Sequence, residues 1–407
     1  MSDIVKKLLK YNQKNILEVY NGLCPSDKKT LENELSKVDF EKLTKLFSLT
    51  NNVTVSDISD ISPLENVYVK YSLQESILNK WKSIGDSVIK DSHYAVVTMA
   101  GGQGTRLGYN LPKGIYMLDI FGKRVSIFEL LITKLKEANR QYNVTIPWYI
   151  MTSEENNSDT IEFFEKNDFF SYDKSCVIFF KQGELPMQDT NGNIMLSEKT
   201  KIKFASDGNG GVFKAIRDNV LEDMKRRGIK YVYFSGVDNI LVNFVDSIFI
   251  GGMIDKGYIA ASKSVEKAYP EEKVGVICKR KGKPAVVEYS ELPCEMRDLR
   301  YANNELVYAD ANIVSNIFDI DLISKAGDLP YHVAKKKCKE YKVDGNVLEV
   351  DGYKYETFIF DIYNKLQDIF VFRVKREEEF APIKNKEGED SPETAVKLYT
   401  NFMTKNM

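Results

Sequence analysis

Short apolar runs alternate with longer amphipathic segments through the middle of the chain. The run Tyr94 to Met99 is almost entirely apolar, which is typical of a strand buried on both faces. The segment Ser126 to Glu129 has the Ser and Glu spacing of a helix capping box. Further strands are predicted at Trp148 to Met151, Val177 to Phe180 and Tyr231 to Phe234, and further helices at Asp159 to Asn167 and from Val212 through Met224. This alternation predicts an α/β fold with a doubly wound, mostly parallel sheet that has helices on both faces.

The two ends of the chain show different patterns. From Ser2 to Lys90 the apolar residues recur at helical spacing, interrupted by a polar stretch from Thr50 to Pro63 that we predict to be a loop. Beyond about Ile259 the pattern is richer in strands. We therefore predict three segments: a helical N-terminal segment (1–92), a central domain (93–334) and a small α+β C-terminal region (335–407).

Turn signals place two hairpins in the strand-rich part. One pairs Val274 to Cys278 with Ala285 to Ser290 around a Lys-Gly-Lys-Pro turn, and the other turns at Asp344-Gly345. An amphipathic helix near Phe360 and a strand at Ile369 to Val374 are predicted to follow.

The composition is that of a soluble globular protein. The chain has 407 residues, of which 43% are hydrophobic and 29% charged. Lys and Arg total 57 against 59 Asp and Glu, so the net charge of −2 argues against a nucleic-acid binder. No apolar run reaches membrane-spanning length, and the N-terminus lacks an apolar signal core. We expect a cytoplasmic protein without nucleic-acid or membrane partners, and no protein partner is implied.

Histidine and cysteine are sparse. The two histidines, His93 and His332, leave little room for His-based acid–base chemistry or zinc binding. The five cysteines are odd in number and never form a C-x-x-C pair. A disulfide scaffold or structural zinc is therefore not expected, and a reducing compartment is favoured.

The strongest chemical signal is a glycine-rich turn after the first central strand. It runs from Gly101 to Gly108 and is followed by Leu111-Pro112-Lys113-Gly114. Glycines let backbone N–H groups approach a phosphate, and Arg106 and Lys113 add positive charge beside them. Leu107 breaks the dinucleotide-binding pattern, and the surroundings of Lys113 do not match a Walker loop. A structural tight turn would explain the glycines, but not the two cations, so the pattern favours a phosphate loop of another kind.

This loop resembles the signature of sugar nucleotidyltransferases, and more narrowly that of the eukaryotic-type UDP-sugar pyrophosphorylases. The resemblance extends over most of the chain, including the helical region from Gln13 to Phe47. In order and combination, the motifs resemble those of the UDP-N-acetylglucosamine pyrophosphorylases. They are Ile150 to Ser153, Phe179 to Gly183, Asp207 to Gly211, Val237 to Val242, Val274 to Cys278, Val286 to Glu291, Leu329 to Lys337, Phe358 to Asp361 and Phe380 to Asn385.

The resemblance implies a Rossmann-like nucleotidyltransferase fold and a uridylyltransferase reaction. UTP and N-acetylglucosamine 1-phosphate would give UDP-N-acetylglucosamine and pyrophosphate, with Mg²⁺ as cofactor. The implied phosphate contacts are Gly101, Gly102, Gly104, Arg106, Lys113 and, for the sugar phosphate, Lys384. Gln182 and Gly208 would face uracil, and Asp238 would hold the metal. The sugar would be contacted by Asn209, Gly275, Glu288, Asn312, Phe358 and Phe360.

The chain departs from the family pattern next to one implied sugar contact. The usual Asn-Ala-Gly-Asn-Ile reads Ala309-Asp310-Ala311-Asn312-Ile313 here, so a glycine is lost and a charge is gained beside Asn312. This change bears on sugar specificity more than on activity. Ser206, where a proline is usual, is expected to matter little.

Three alternatives stay open on the sequence. One is a UDP-glucose or broader UDP-sugar pyrophosphorylase with the same fold and mechanism. Another is a catalytically silent nucleotide-sugar binding protein, against which the intact Arg106, Lys113, Asp238 and Lys384 argue. An NAD-dependent enzyme is disfavoured by Leu107.

Overall fold

The computed structural model describes residues 2–51 and 60–406. These residues form two compact units. The larger, which we call the sheet unit, takes in the described residues of Ser56–Gln182, Val212–Asp328 and Phe360–Met407. The smaller, the hairpin unit, takes in those of Met1–Val55, Gly183–Gly211 and Leu329–Ile359. Both units are thus assembled from separate stretches of chain, whereas the three predicted segments are continuous; those segment boundaries stay a prediction.

The strands in chain order are β1 Ile61–Ser62, β2 Val67–Val69, β3 Tyr94–Met99, β4 Met117–Ile120, β5 Lys123–Ser126, β6 Trp148–Thr152, β7 Val177–Lys181, β8 Glu184–Pro186, β9 Gln188–Asp189, β10 Leu196–Glu198, β11 Lys201–Ile202, β12 Phe204–Ser206, β13 Tyr231–Gly236, β14 Ala260–Glu266, β15 Val276–Arg280, β16 Lys283–Val287, β17 Asp310–Asp319, β18 His332–Tyr341, β19 Val347–Glu356 and β20 Phe370–Val374.

The α-helices are α1 Asp3–Lys10, α2 Lys14–Asn21, α3 Pro25–Ser36, α4 Phe40–Ser48, α5 Glu75–Lys90, α6 Ile127–Tyr142, α7 Asn157–Lys166, α8 Val212–Asn219, α9 Leu221–Arg226, α10 Ser247–Asp255, α11 Cys294–Arg297, α12 Ile320–Lys325, α13 Arg376–Glu379 and α14 Pro392–Lys405.

The sheet unit is built on one large sheet whose main path runs β2-β20-β14-β17-β13-β3-β6-β7. Five of the seven pairings on this path are parallel, and β17 makes both antiparallel ones. The strands β15, β16 and β1 extend the sheet beside β17. The predicted α/β fold with a mostly parallel sheet is confirmed.

The core of the sheet unit follows from the apolar strands. All six residues of β3 are buried, because helices pack on both faces of a mostly parallel sheet. Helix α6 begins where the Ser126 hydroxyl accepts the N–H of Glu129, and it buries a stripe that includes Leu131 and Leu135. The predicted N-cap at Ser126 and the buried helical face are both present, and of the two capping-box bonds the structure has the one accepted by Ser126.

The hairpin unit has a core of its own. Helices α1 to α4 pack with β18 and β19, which pair antiparallel along ten residues each. Leu8, Ile16, Leu31 and Leu35 are fully buried in this core. The predicted hairpin at Asp344-Gly345 is confirmed, with longer strands than expected.

Three other sequence predictions need correction or completion. The helix predicted from Val212 through Met224 is two helices, α8 and α9, and the predicted helix near Phe360 is a 3-10 helix, Ile359–Lys365. Most of the loop predicted from Thr50 to Pro63 lies outside the described residues, while Ile61–Ser62 is a strand. Within residues 2–51 and 60–406, no helix is long and apolar enough to cross a membrane.

Candidate functional site

The glycine-rich loop leaves the carboxyl end of β3 and is closed by its own backbone. The Gly104 N–H donates to the Leu111 carbonyl at 3.0 Å, and the Lys113 N–H donates to the Gly102 carbonyl at 3.2 Å. The buried Asn156 amide donates to the Ala100 carbonyl at 3.0 Å and so fixes the start of the loop. Gly102 is exposed, with no atom of the described residues near the place of a side chain. The loop therefore presents backbone to solvent, as a phosphate loop requires.

Gln182 lies against this loop. Its backbone N–H donates to the Thr152 carbonyl at 2.8 Å, which places it at the carboxyl end of β7. A Cβ atom built on Gly101 would lie 2.5 Å from the side-chain amide of Gln182. Only glycine allows this approach, so the structure brings together two residues that the sequence assigns to one nucleotide site.

The two predicted loop cations have different surroundings. The Arg106 side chain is exposed, and it makes no hydrogen bond or ion pair with any residue in 2–51 or 60–406. The Lys113 ammonium donates to the Ile383 carbonyl at 3.3 Å. Lys113 is therefore joined to the C-terminal segment that carries Lys384.

That segment is also fastened to the end of β13. The Ile383 N–H donates to the Asp238 carbonyl at 2.9 Å. The buried Asn239 side chain donates to the Glu379 carbonyl at 2.7 Å and accepts the Ala381 N–H at 2.9 Å. Lys113, Asp238 and Lys384 consequently lie on elements that are held together at one edge of the sheet.

Asp238 follows β13 at its carboxyl end and is half-buried. Its carboxylate lies over Gly236, where a Cβ atom would be 2.5 Å from Oδ1. Among the described residues, the Asp238 carboxylate has no hydrogen-bond or ion-pair partner. Those residues also contain no group of three or more His, Cys, Asp or Glu side chains that could hold a metal ion.

Three of the predicted sugar contacts of the sheet unit, Gly275, Glu288 and Asn312, lie close together. A Cβ atom on Gly275 would lie 3.1 Å from Oε1 of Glu288, and the Gly275 carbonyl accepts the Asn312 N–H at 2.8 Å. The pairing of β14 with β17 shifts register beside Asn312, and Val314 there has a φ of 53°. The Asn312 Oδ1 accepts the Val314 N–H at 3.0 Å. A bulge of this kind re-aims side chains, and here it sets the direction of Asn312.

The unusual residues before Asn312 have defined places. Asp310 accepts two hydrogen bonds from the Arg373 guanidinium, at 2.8 and 2.7 Å, and one from the Ser264 hydroxyl at 2.7 Å. Burial alone would lower the pKa of Arg373, but its bonds to Asp310 raise it above its usual value. Ala311 is fully buried in the main core. The added charge is thus neutralised, and the added methyl group fills core space.

Of the remaining predicted residues, Gly208, Asn209 and Phe358 lie in the hairpin unit and Phe360 lies in the sheet unit. Gly208 has a φ of 88°, and a Cβ atom there would lie 2.3 Å from the Thr357 carbonyl oxygen. The Asn209 Oδ1 accepts the Ile359 N–H at 3.0 Å. The ring centroids of Phe358 and His332 are 4.8 Å apart. Phe360 belongs to the sheet unit and is buried. The proposed roles of these four residues stay predictions.

Sequence reasoning missed several residues that hold the site in place. Asn156 and Asn239 are the clearest, since each is buried and bonds to the backbone of a site segment. Asp390 is another, and it pairs with Lys384 at 3.1 Å. The only available signal was position: each follows an apolar strand or adjoins a motif, and no single-sequence pattern marks a polar side chain as an anchor.

Comparisons with known proteins show the family to which the chain is similar. The family described as UTP--glucose-1-phosphate uridylyltransferase matches residues 38–390. A mouse protein named UDP-N-acetylhexosamine pyrophosphorylase-like protein 1 is 35% identical, over 96% of this chain and 82% of that protein. A Saccharomyces cerevisiae protein named UDP-N-acetylglucosamine pyrophosphorylase is 34% identical, over 99% of this chain and 90% of that protein.

A solved structure from Trypanosoma brucei extends the likeness to the backbone. It is the uridine diphosphate N-acetylglucosamine pyrophosphorylase in complex with an inhibitor. Its TM-score is 0.84 at 29% identity, and the match covers 98% of this chain and 84% of that chain.

Proposed function

Because the chain belongs to the UTP--glucose-1-phosphate uridylyltransferase family, we propose that it joins UTP and N-acetylglucosamine 1-phosphate into UDP-N-acetylglucosamine and pyrophosphate. The acetylated sugar is favoured because relatives from Saccharomyces cerevisiae and Arabidopsis thaliana, 34% and 35% identical, carry that sugar in their names. Both relatives are matched over at least 84% of their length. The five cysteines are free thiols, which supports a cytoplasmic location because thiols stay reduced there.

One observation carries the proposal: the glycine loop, Gln182 and the segment bearing Lys384 are joined at a single edge of the sheet. Gln182 packs on Gly101, and Lys113 reaches the Ile383 carbonyl at 3.3 Å. The edge is formed by the carboxyl ends of parallel strands, where open α/β sheets bind their ligands. An amide that can both donate and accept, set beside a phosphate loop, suits a pyrimidine nucleotide.

The residues of this edge suit phosphoryl-group chemistry without a general base. The nucleophile is an oxygen of the sugar phosphate, which is largely ionised at pH 7 because the second pKa of a phosphate monoester is about 6. The protein's task is to align that oxygen with the α-phosphorus of UTP and to stabilise charge as pyrophosphate leaves. We assign Arg106 and the loop N–H groups to the UTP phosphates. Lys113 is assigned to those UTP phosphates that leave as pyrophosphate, and Lys384 to the sugar phosphate.

A divalent cation, which we take to be Mg²⁺, fits the donor set at Asp238. The fit rests on the half-buried carboxylate without a partner among the described residues. Magnesium is commonly held by one or two carboxylates, with substrate phosphates and water completing its shell. When bound, the ion would neutralise charge on the phosphates.

Sugar recognition is assigned to the cluster of Gly275, Glu288 and Asn312. Glycine brings the backbone close to the ligand, while the carboxylate and amide suit hydroxyl and acetamido groups. Because Asp310 is paired with Arg373, its charge does not stand beside the sugar as an unpaired carboxylate. The near alternative remains an enzyme that prefers glucose 1-phosphate or accepts several sugars.

Pyrophosphate release tests the proposal directly. The purified chain is given UTP, MgCl₂ and one of three sugar phosphates: N-acetylglucosamine, N-acetylgalactosamine or glucose 1-phosphate. We expect kcat/KM to be highest with an N-acetylated sugar. Preference for glucose 1-phosphate would keep the mechanism but reject the substrate. A folded protein that binds UDP-sugars but releases no pyrophosphate with any of the three would be a silent binding protein.

The metal is tested in the same assay. Omitting MgCl₂ and adding EDTA should abolish pyrophosphate release, and unchanged release would reject the proposed need for a divalent cation.

A further inference from the structure

The loop that begins at Lys384 is closed by the backbone carbonyls of Asp390 and Glu389, the latter accepting the Asn385 side-chain amide at 2.8 Å. The Asp390 carbonyl accepts the N–H groups of Lys384 at 2.7 Å and of Asn385 at 3.1 Å. Its carboxylate lies 3.1 Å from the Lys384 ammonium. One residue therefore holds both the backbone and the side-chain charge of Lys384.

The conformation of Asp390 is set by the helix that follows. Its φ is 55°, in the left-handed region that few residues other than Gly, Asn and Asp adopt. Next to it, Ser391 caps α14: its hydroxyl accepts the Thr394 N–H at 3.3 Å, and its own N–H donates to the Thr394 hydroxyl at 2.9 Å. The start of α14 is thus fixed by reciprocal bonds, and Asp390 is presented from a rigid end.

The Phe380 ring and the backbone of Ile383 also restrict Lys384. Its ammonium lies 5.5 Å from the centroid of the Phe380 ring, and that ring is buried. Ile383, just before it, is bonded through its backbone to Asp238. The Lys384 side chain would otherwise have many rotamers. The Phe380 ring, the anchored backbone of Ile383 and the Asp390 carboxylate together limit the directions that it can take.

We propose that Asp390 is a positioning residue for Lys384, holding its ammonium ready for the sugar phosphate; this rests on the proposed function. The side chains of the pair are 36% and 35% exposed, so water and salt weaken the contact. A phosphate monoester carries a charge of about −1.5 to −2 at pH 7 and competes for the same ammonium. The pair is close enough to orient Lys384 and weak enough to yield it to substrate.

A double-mutant cycle tests the inference. The variants are Asp390→Asn, Lys384→Ala and the two combined, each assayed by pyrophosphate release with UTP and N-acetylglucosamine 1-phosphate varied in turn. Asparagine tolerates the left-handed conformation and keeps the backbone carbonyl, so the loop should stay closed. We expect Asp390→Asn to lower kcat/KM for the sugar phosphate about tenfold, from the regained side-chain freedom of Lys384, and to leave KM for UTP within twofold.

The decisive comparison is made in the Lys384→Ala background. There Asp390→Asn should have no further effect, because its action passes through the missing ammonium. An equal loss in both backgrounds would show that Asp390 merely supports the loop, and wild-type kinetics for Asp390→Asn would remove any role; either result overturns the proposal. Glu387→Gln is the matched control, since Glu387 lies in the same loop, 4.0 Å from Lys386, with an 86% exposed side chain. It should change no kinetic constant.

The same data separate this inference from the proposed function. Absence of pyrophosphate release by the wild-type chain with every sugar phosphate would reject the function and the inference together. An active wild type with an impaired Lys384→Ala and a normal Asp390→Asn would keep the function and reject only the inference. An active wild type with normal kinetics for Lys384→Ala would reject the assignment of Lys384 to the sugar phosphate, and with it the positioning role of Asp390.

Discussion

The sheet unit contains a group of buried ion pairs around Lys263 and a partly exposed ion pair of Lys384 with Asp390. Both join a lysine ammonium to carboxylates, but they differ in exposure to solvent. Lys263 on β14 is fully buried, and its ammonium contacts Asp246 at 2.8 Å and Glu379 at 2.5 Å. The pair of Lys384 and Asp390 is more than one-third exposed. A buried charge that loses its partner is costly to the fold, whereas a half-exposed pair opens at little cost. The buried group therefore suits a framework, and the exposed pair suits a substrate contact.

The two groups are connected through one short segment. The side chain of Glu379 belongs to the buried group, while its carbonyl accepts the Asn239 amide next to Asp238. Lys384 follows five residues later. The buried network thus anchors the segment whose far end we assign to the sugar phosphate. Binding and catalysis need groups held in place. The buried Lys263 network therefore helps to hold Lys384 where it can contact the substrate.

The largest effect on stability is expected from Lys263→Met. This change removes the cation that contacts the buried Asp246 and leaves the buried Glu379 paired with Lys70 at 4.0 Å, which should lower the free energy of unfolding by about 3–5 kcal/mol. Urea unfolding followed by tryptophan fluorescence measures the loss. The matched control is Lys201→Met, whose partner Glu198 is 63% exposed and whose own side chain is 60% exposed; its cost should be close to zero. Equal small losses for both would show that the Lys263 group is not a framework.

A smaller loss is expected from Asp310→Ala, which removes the partner of the Arg373 guanidinium, whose side chain is 16% exposed. We expect a loss of about 2–3 kcal/mol, measured by the same unfolding titration. The double variant Asp310→Ala with Arg373→Met should lose less than the single one, because no unpaired charge is left. If the double variant lost as much unfolding free energy as the two single variants added together, Asp310 and Arg373 would not be energetically coupled, and the interpretation of the pair would be wrong.

Asp246→Asn should remove a contribution that depends on pH. Burial alone would raise the pKa of the Asp246 carboxyl, but the Lys263 ammonium lowers it to about 2. A lowered carboxyl pKa stabilises the fold above the unfolded value of about 3.9, and this contribution is lost as pH falls through the folded value. At pH 7 we expect a loss of about 2–3 kcal/mol, with the N-cap of α10 kept by asparagine.

The test is the difference in unfolding free energy between wild type and Asp246→Asn, followed from pH 7 to pH 2. The difference should shrink between about pH 4 and pH 2. A constant difference over that range would mean that the charge of Asp246 is not what stabilises the fold.

Local patterns predicted much of the sheet, because apolar runs and cap residues act over short distances. Tyr94–Met99 is a buried strand as expected, and Gly101 and Gln182 lie together as one site would require. Two features depend on contacts far apart in sequence. The bulge that aims Asn312 arises between β14 and β17, and the Asp310 pair needs Arg373, 63 residues later. The grouping of separate stretches into the hairpin unit is a third such feature.

The most direct test of the account is the turnover of Lys113→Ala, measured by pyrophosphate release together with its unfolding free energy. Lys113 is half-buried, and its ammonium donates to the Ile383 carbonyl in the segment of Lys384 at 3.3 Å. We expect kcat to fall about a hundredfold or more, with the free energy of unfolding within about 1 kcal/mol of wild type. Near-normal turnover in a folded variant would contradict the assignment of this edge of the sheet as the catalytic site.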